Sequence, residues 1–265
     1  MVSITLDGAF FVPYPTLLYP GRLVPAPSLK KERIKYFFLS LKSKNYLCQK
    51  RIMALKIAIL SQKGGVGKST LSRLLAVEYA RNDWQVKIAD MDISQGTVTE
   101  WNRVRMKHQV APTIAVEQFM MVKDALKQEA HYDLLIFDGE PHSTKKTLDI
   151  AQESDFIIMP SGVTLDDLLP TIKLAHEFKK NGIDRTKIGI ALTRVGDSQG
   201  EINGAREYIE EAGYHCLGTI QEKTSIGQAH DGGRAANETA FKSVNQYTDK
   251  FVQAIVDRLR ETKKV

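Results

Sequence analysis

Lys63-Gly64-Gly65-Val66-Gly67-Lys68-Ser69-Thr70 has the residue types, in the order, that a triphosphate-binding loop needs. Gly64, Gly65 and Gly67 lack Cβ atoms, so the loop can curl and turn successive backbone N–H groups onto anionic oxygens. Lys68 is placed to reach the β- and γ-phosphates, and the Ser69 hydroxyl to ligate Mg²⁺. The ordinary pattern has glycine six residues before this lysine. Here Gln62 stands there, and a second lysine, Lys63, heads the loop.

Three carboxylates complete the chemistry. Asp90, Asp92 and Asp138 each follow a short apolar run, which places them at the ends of strands, where open α/β sheets bind ligands. Phosphoryl transfer needs a carboxylate on the metal side and a polar group that orients the attacking water. Asp138 fits the metal side, Asp92 the water, and Asp90 a switch that senses the γ-phosphate. Ser69, Asp90 and Asp138 are therefore the metal-side candidates, with Lys63, Lys68 and Asp92 as catalytic candidates.

The elements that must position these residues alternate. An apolar run at 55–60 predicts a buried strand, and helical periodicity follows over 69–82. A strand at 86–89, a helix at 98–106, a strand at 113–116 and a helix near 118–130 come next. Further strands are expected at 134–138, 156–159, 188–192 and 216–220. Helices are expected at 165–180 and 201–211, stopped by Gly182 and Gly213. A long polar linker containing Gly232-Gly233 leads to a last helix, 238–261, with Phe241, Val244, Tyr247, Phe251, Ile255 and Leu259 as its apolar stripe. This alternation implies an α/β fold: a mainly parallel sheet with helices on both faces, of the P-loop NTPase (SIMIBI-like) kind.

With 265 residues, 43% of them hydrophobic, the chain can bury a large core. The net charge of +6 is uneven: residues 1–52 hold nine Lys/Arg against two acids, which leaves −1 for the rest. The basic balance therefore says little about the enzyme-like part. Five prolines between 13 and 27 break the apolar N-terminal stretch, so no membrane-spanning helix fits there. Residues 30–47 have the pattern of a short basic helix. Met53-Ala54 directly precedes the first strand, so 1–52 is read as an N-terminal extension, disordered or upstream of the native start, and 53–265 as the ATPase domain. Two cysteines, Cys48 and Cys216, make no disulfide framework, which suits a reducing cytoplasm.

Taken together, these residues resemble the ParA/MinD group of deviant Walker-type ATPases, most closely the short ParA-type partition ATPases. The resemblance rests on the loop from Lys63 to Thr70, on Asp90-Met91-Asp92 with Gln95-Gly96, and on the strand ending at Asp138. Asp155 to Pro160 and Leu217-Gly218-Thr219-Ile220 add to it. It covers about Leu55 to Arg260 and implies an ATP-dependent sandwich homodimer in which Lys63 reaches the partner's nucleotide. It also implies non-specific DNA binding by the dimer, a centromere-binding adaptor that stimulates hydrolysis, and a cytoplasmic, nucleoid-associated location. Three features depart from the pattern: Gly139-Glu140-Pro141 replaces a Thr-Pro-Pro-like sequence, Thr193 stands where relatives often carry an adenine-contacting Asn, and the 52 proline-broken N-terminal residues are not expected to supply the helix-turn-helix domain of the longer partition ATPases. ATP is thus implied by the family, while the lack of an Asn-Lys-x-Asp motif argues against GTP.

Residues 234–265 carry seven Lys/Arg and four acids, a possible phosphate-contacting surface. The alternative is a MinD-like membrane-positioning ATPase, whose anchor would be an amphipathic tail. The tail after Leu259 is polar and the stripe before it suits core packing, so the membrane is the weaker partner. An iron-protein-like reductase would need paired cysteines near the site, and a tyrosine kinase of this fold a C-terminal tyrosine cluster; neither is present.

Overall fold

The computed structural model describes residues 53–141 and 145–263, plus a two-residue antiparallel pairing of Leu18–Tyr19 with Arg22–Leu23. The basic helix expected over 30–47 lies outside the described residues.

Within 53–263, seven strands form one all-parallel sheet: β1 (Leu55–Ile59), β2 (Val86–Asp90), β3 (Ala115–Gln118), β4 (Leu134–Asp138), β5 (Phe156–Ser161), β6 (Ile188–Val195) and β7 (His215–Gln221). The spatial order is β3-β2-β4-β1-β5-β6-β7. The chain leaves β1 toward one edge and later returns to its other side at β5. That reversal is the crevice where such sheets bind ligands.

Eight helices cover the sheet: α1 (Lys68–Arg81), α2 (Thr97–Lys107), α3 (Val122–Leu126), α4 (Lys145–Glu153), α5 (Leu165–Lys180), α6 (Gln199–Glu211), α7 (Thr224–Asp231) and α8 (Lys242–Lys263). Strand residues alternate between two cores, as a period of two requires. Leu55, Ile57 and Ile59 join a cluster with α1, α2, α7 and α8, while Ala58 and Leu60 join one with α3 to α6. Five α8 side chains, Phe251, Val252, Ile255, Val256 and Leu259, are at most 3% exposed. Their burial contributes on the order of 10 kcal/mol as an upper bound, enough to pin this helix to the body of the protein.

Three expectations need correction. The helix expected near 118–130 is shortened and broken: Phe119 N donates to Asp90 O (3.0 Å) and prolongs the pairing with β2, so only the five residues of α3 and a 3-10 turn, Glu129–His131, are helical. The polar linker contains α7, which forms because Ile226 and Ala229 are buried against the core. The last helix starts at Lys242, four residues later than expected. Thr239 and Asn245 close the preceding turn with paired bonds of 3.0 and 2.9 Å, and Phe241 is left 56% exposed, outside the stripe. Gly182 (φ +86°) and Gly213 (φ +81°) do stop α5 and α6 in the left-handed conformation.

Candidate functional site

Strand register brings the site together before any side chain is considered. Asp138 at the end of β4 pairs with Ile59 of β1 on one side and with Asp90 of β2 on the other. The glycine-rich loop therefore leaves β1 beside Asp138, with Asp90 one strand further on.

The loop is shaped by its backbone and braced from β6. Gly67 has φ +91°, where a side chain would be strained, and the next residue opens α1 with its N–H groups directed at the crevice. Thr193 Oγ1 lies 2.5 Å from Val66 O, and Arg194 Nη1 donates to Gly65 O at 2.9 Å. Arg194 is itself held by Glu222. The position where relatives often place a base-contacting Asn therefore serves the loop: Thr193 is 2% exposed and turned to carbonyl oxygens. Lys68 Nζ donates to Lys63 O (3.1 Å), closing the loop on itself. Burial pushes the Lys68 ammonium pKa down, and Asp138 and Asp92 pull it back up.

Asp138 accepts from Ser69 Oγ and Ser72 Oγ, both at 2.8 Å. Burial pushes its pKa up to about 6. A hydroxyl and a carboxylate are hard oxygen donors of the kind Mg²⁺ takes, the remaining positions being filled by phosphate and water. Among the described residues no group of three or more His, Cys, Asp or Glu is placed to hold a metal by protein ligands alone. Asp90 is engaged differently. Its Oδ2 accepts from Thr99 N (3.1 Å) and Thr99 Oγ1 (2.8 Å), and its Oδ1 accepts from Asp92 N (3.2 Å). Burial raises its pKa while these bonds lower it. Asp92 Oδ1 accepts from Ser94 Oγ (2.7 Å) and Gln95 N (3.1 Å), folding the loop after β2 back on itself. A cleft of about 220 Å³ lies between the glycines, Lys68, Ser69, Asp92 and Asp138.

Lys63 does not line that cleft. Its half-exposed ammonium pairs with Asp167 on α5, whose other oxygen accepts from Thr164 Oγ1 at 3.0 Å.

The family of CobQ/CobB/MinD/ParA nucleotide-binding domains matches residues 57–235. The chain belongs to that family. Among curated relatives, it is 26% identical over 240 residues to an uncharacterized ATP-binding protein of Methanocaldococcus jannaschii, covering 78% of this chain and 86% of that one. It is 29% identical over 160 residues to the maintenance of carboxysome distribution protein A of Gloeobacter kilaueensis, covering 59% of this chain and 71% of that one. Among solved structures, a putative plasmid partition protein of Borrelia burgdorferi bound to AMPPNP superposes with a TM-score of 0.59 at 18% identity, over 77% of this chain and 99% of that one.

In this ParA/MinD-type chain a second, larger cavity of about 630 Å³ adjoins the cleft, sharing Gly65, Gly67 and Thr70 with it. Its walls include Arg194, Glu222, Ile226 and His230. Burial pushes the His230 pKa down to about 4, so its ring is neutral near pH 7. Four residues near the site were not singled out from sequence. Asp167 is the partner of Lys63. Lys146 on α4 donates to Met91 O (2.6 Å) and to Glu140 Oε2 (3.2 Å), tying the loop after β4 to the loop after β2. His230 faces the larger cavity, and Arg73 lines the cleft. Arg73 alone had a readable signal, being four residues after Ser69 and so on the same face of α1.

Proposed function

We propose that this chain is an ATP-hydrolysing partition ATPase, whose nucleotide-bound homodimer binds DNA without sequence preference and releases it on hydrolysis. Residues 53–265 form the ATPase domain and 1–52 an extension to it. The triphosphate lies along Gly64 to Thr70, with Lys68 on its β- and γ-phosphates and the base in the larger cavity. Ser69 and Asp138 would hold Mg²⁺, which would supply positive charge to the phosphate oxygens. Asp92 orients the water that attacks the γ-phosphorus, giving ADP and phosphate. Asp90, with three donors already on its oxygens, acts on the switch loop and not as a first choice of metal ligand.

The observation that carries this reading is Lys63. It belongs to the phosphate loop yet stays out of its own cleft, at the rim, where a second subunit's nucleotide could receive its charge in trans. ATP between two subunits then makes occupancy the control on dimerisation. The ATP-binding relative and the AMPPNP-bound neighbour support the nucleotide, and the carboxysome-distribution and plasmid-partition relatives support a positioning role. A centromere-binding or cargo-binding adaptor would stimulate turnover, and the dimer would sit on the nucleoid.

DNA is favoured over lipid because α8 spends its apolar stripe inside the core. No described helix is long and apolar enough to cross a membrane. Arg258 and Arg260 pair with acids of their own helix, which among the described side chains leaves exposed Arg234, Lys242 and Lys250 as the phosphate-contacting candidates. Co-sedimentation with ATP checks the choice. Binding to DNA that weakens steeply with salt is expected, and binding to anionic liposomes instead would favour the MinD-like alternative.

A further inference from the structure

We propose that Arg73 is a positioning residue for hydrolysis: from the cleft wall it holds the Thr97 end of the loop that carries Asp92, with Trp101 stacked against it. This rests on the ATPase reading above.

Arg73 is 6% exposed and lines the cleft together with Asp92, Gln95, Thr97 and Asp138. Its Nη2 donates to Thr97 O at 2.7 Å, and its guanidinium carbon lies 5.5 Å from the centre of the Trp101 ring. Thr97 is the first residue of α2, so this bond fixes the far end of the segment that begins at Asp92. The near end is fixed by Asp90 and Asp92 themselves. Arg73 thereby spans from α1, which carries Lys68, Ser69 and the bonds to Asp138, to the loop that must present Asp92.

The other buried arginine shows what a structural guanidinium looks like in this fold. Arg105, 1% exposed, uses Nε, Nη1 and Nη2 on Pro112 O, Gly233 O and both oxygens of Glu238. Arg73 has no carboxylate within ion-pair distance among the described residues, and its buried Nε has no hydrogen-bond partner there. The charges of Asp138 and Asp90 reach it only through space, and a buried cation with one backbone acceptor, one ring and no touching carboxylate is costly if packing is its only role. Its charge instead links the strand-end carboxylates Asp138 and Asp90 to the loop that carries Asp92. Trp101 is fixed in turn by Nε1 to Arg234 O (3.0 Å) and by the Arg105 guanidinium 5.4 Å from its ring. The stacked guanidinium therefore has a rigid backing, as a residue that positions others requires.

Trp101 also supplies the readout, since Trp84 is the only other tryptophan of the chain. Arg73→Gln and Arg73→Lys would be made in the full chain carrying Trp84→Phe. ATP affinity, turnover at saturating ATP with Mg²⁺, and the change in Trp101 emission on adding ATP would be measured, with thermal melting as the check on folding. The expected result for Arg73→Gln is turnover lowered about tenfold or more with ATP affinity within about threefold, a split that marks an effect on the reacting geometry. The Trp101 response should shrink, and Arg73→Lys should recover part of the turnover. Unchanged turnover, or affinity that falls by the same factor as turnover, would overturn the proposal while leaving the ATPase reading intact. If Arg73→Gln does not fold, Arg73→Lys decides by the same split. If the Trp84→Phe parent binds but does not hydrolyse ATP, the ATPase reading fails; a Trp101 response lost in Arg73→Gln still supports the hold on the loop, and one retained overturns it.

Discussion

The loops after β2 and β4 start in register, Asp90 beside Asp138, yet they are fastened in opposite ways. The first is fastened largely to itself: Asp90 holds Asp92 N and Thr99, and Asp92 holds Ser94 and Gln95. The second is fastened to other elements. Asp138 takes hydroxyls from α1, and Glu140 takes Lys146 from α4. A loop closed by local bonds keeps its shape and moves as a unit. A loop held by hydroxyls that a cation can share rearranges when the cation arrives. On the proposed function, the metal response would fall to the β4 side and the presentation of water to the β2 side; Lys146 links the two through Met91 O.

The largest expected effect comes from Asp138→Asn. Hydrolysis should fall about a hundredfold or more, as when a preorganised charge is removed from a transition state. The nucleotide-free protein should gain stability at pH 7.5, by roughly 1–2 kcal/mol. The sign follows from a folded pKa raised from 3.8 to about 6: the folded state holds the proton more tightly, so stability falls as pH rises from about 4 to about 6 and stays lower above. Melting curves across that window should flatten in the variant. A variant that melts lower than the parent at pH 7.5 would break the reading of Asp138 as a carboxylate that burial disfavours.

Asp92→Ala comes next, with hydrolysis slowed roughly ten- to a hundredfold and ATP-dependent dimers retained in light scattering. Loss of ATP binding in this variant would place Asp92 with the loop's stability and not with water. Lys63→Ala should lower dimer formation or turnover several-fold while monomer affinity for ATP stays within about threefold. A selective loss of monomer affinity would contradict a role in trans. The smallest effect belongs to Lys146→Met, a two- to fivefold change in turnover with faster hydrogen exchange in the loop after β2. Unaltered exchange would mean that the two loops are independent.

Much of this was legible in sequence because strands end where their chemistry begins. Leu134 to Phe137 deliver Asp138, and the apolar run before Lys63 delivers the loop, so both were placed by local pattern. What escaped depended on contacts between distant segments. The helix expected at 118–130 lost to pairing with β2, a tertiary effect that propensity does not carry. Asp167 stands 104 residues from Lys63, and nothing in its surroundings marks it as a partner. Glu140 departs from the family's pattern in sequence, but its bond with Lys146, six residues on, exists only in three dimensions. Arg73 carries only the signal of its spacing from Ser69, and that is easily passed over because a helix normally turns its arginines to water.

The position of α8 has one more consequence. It packs against β7 and α1 and completes the core on the β1 face, some 160 residues after α1 ends. At ordinary rates of synthesis that interval lasts on the order of ten seconds. Throughout it, the phosphate-loop helix can already rest on β1, β2 and β4, while the part of that core which α8 closes stays open until the final helix arrives.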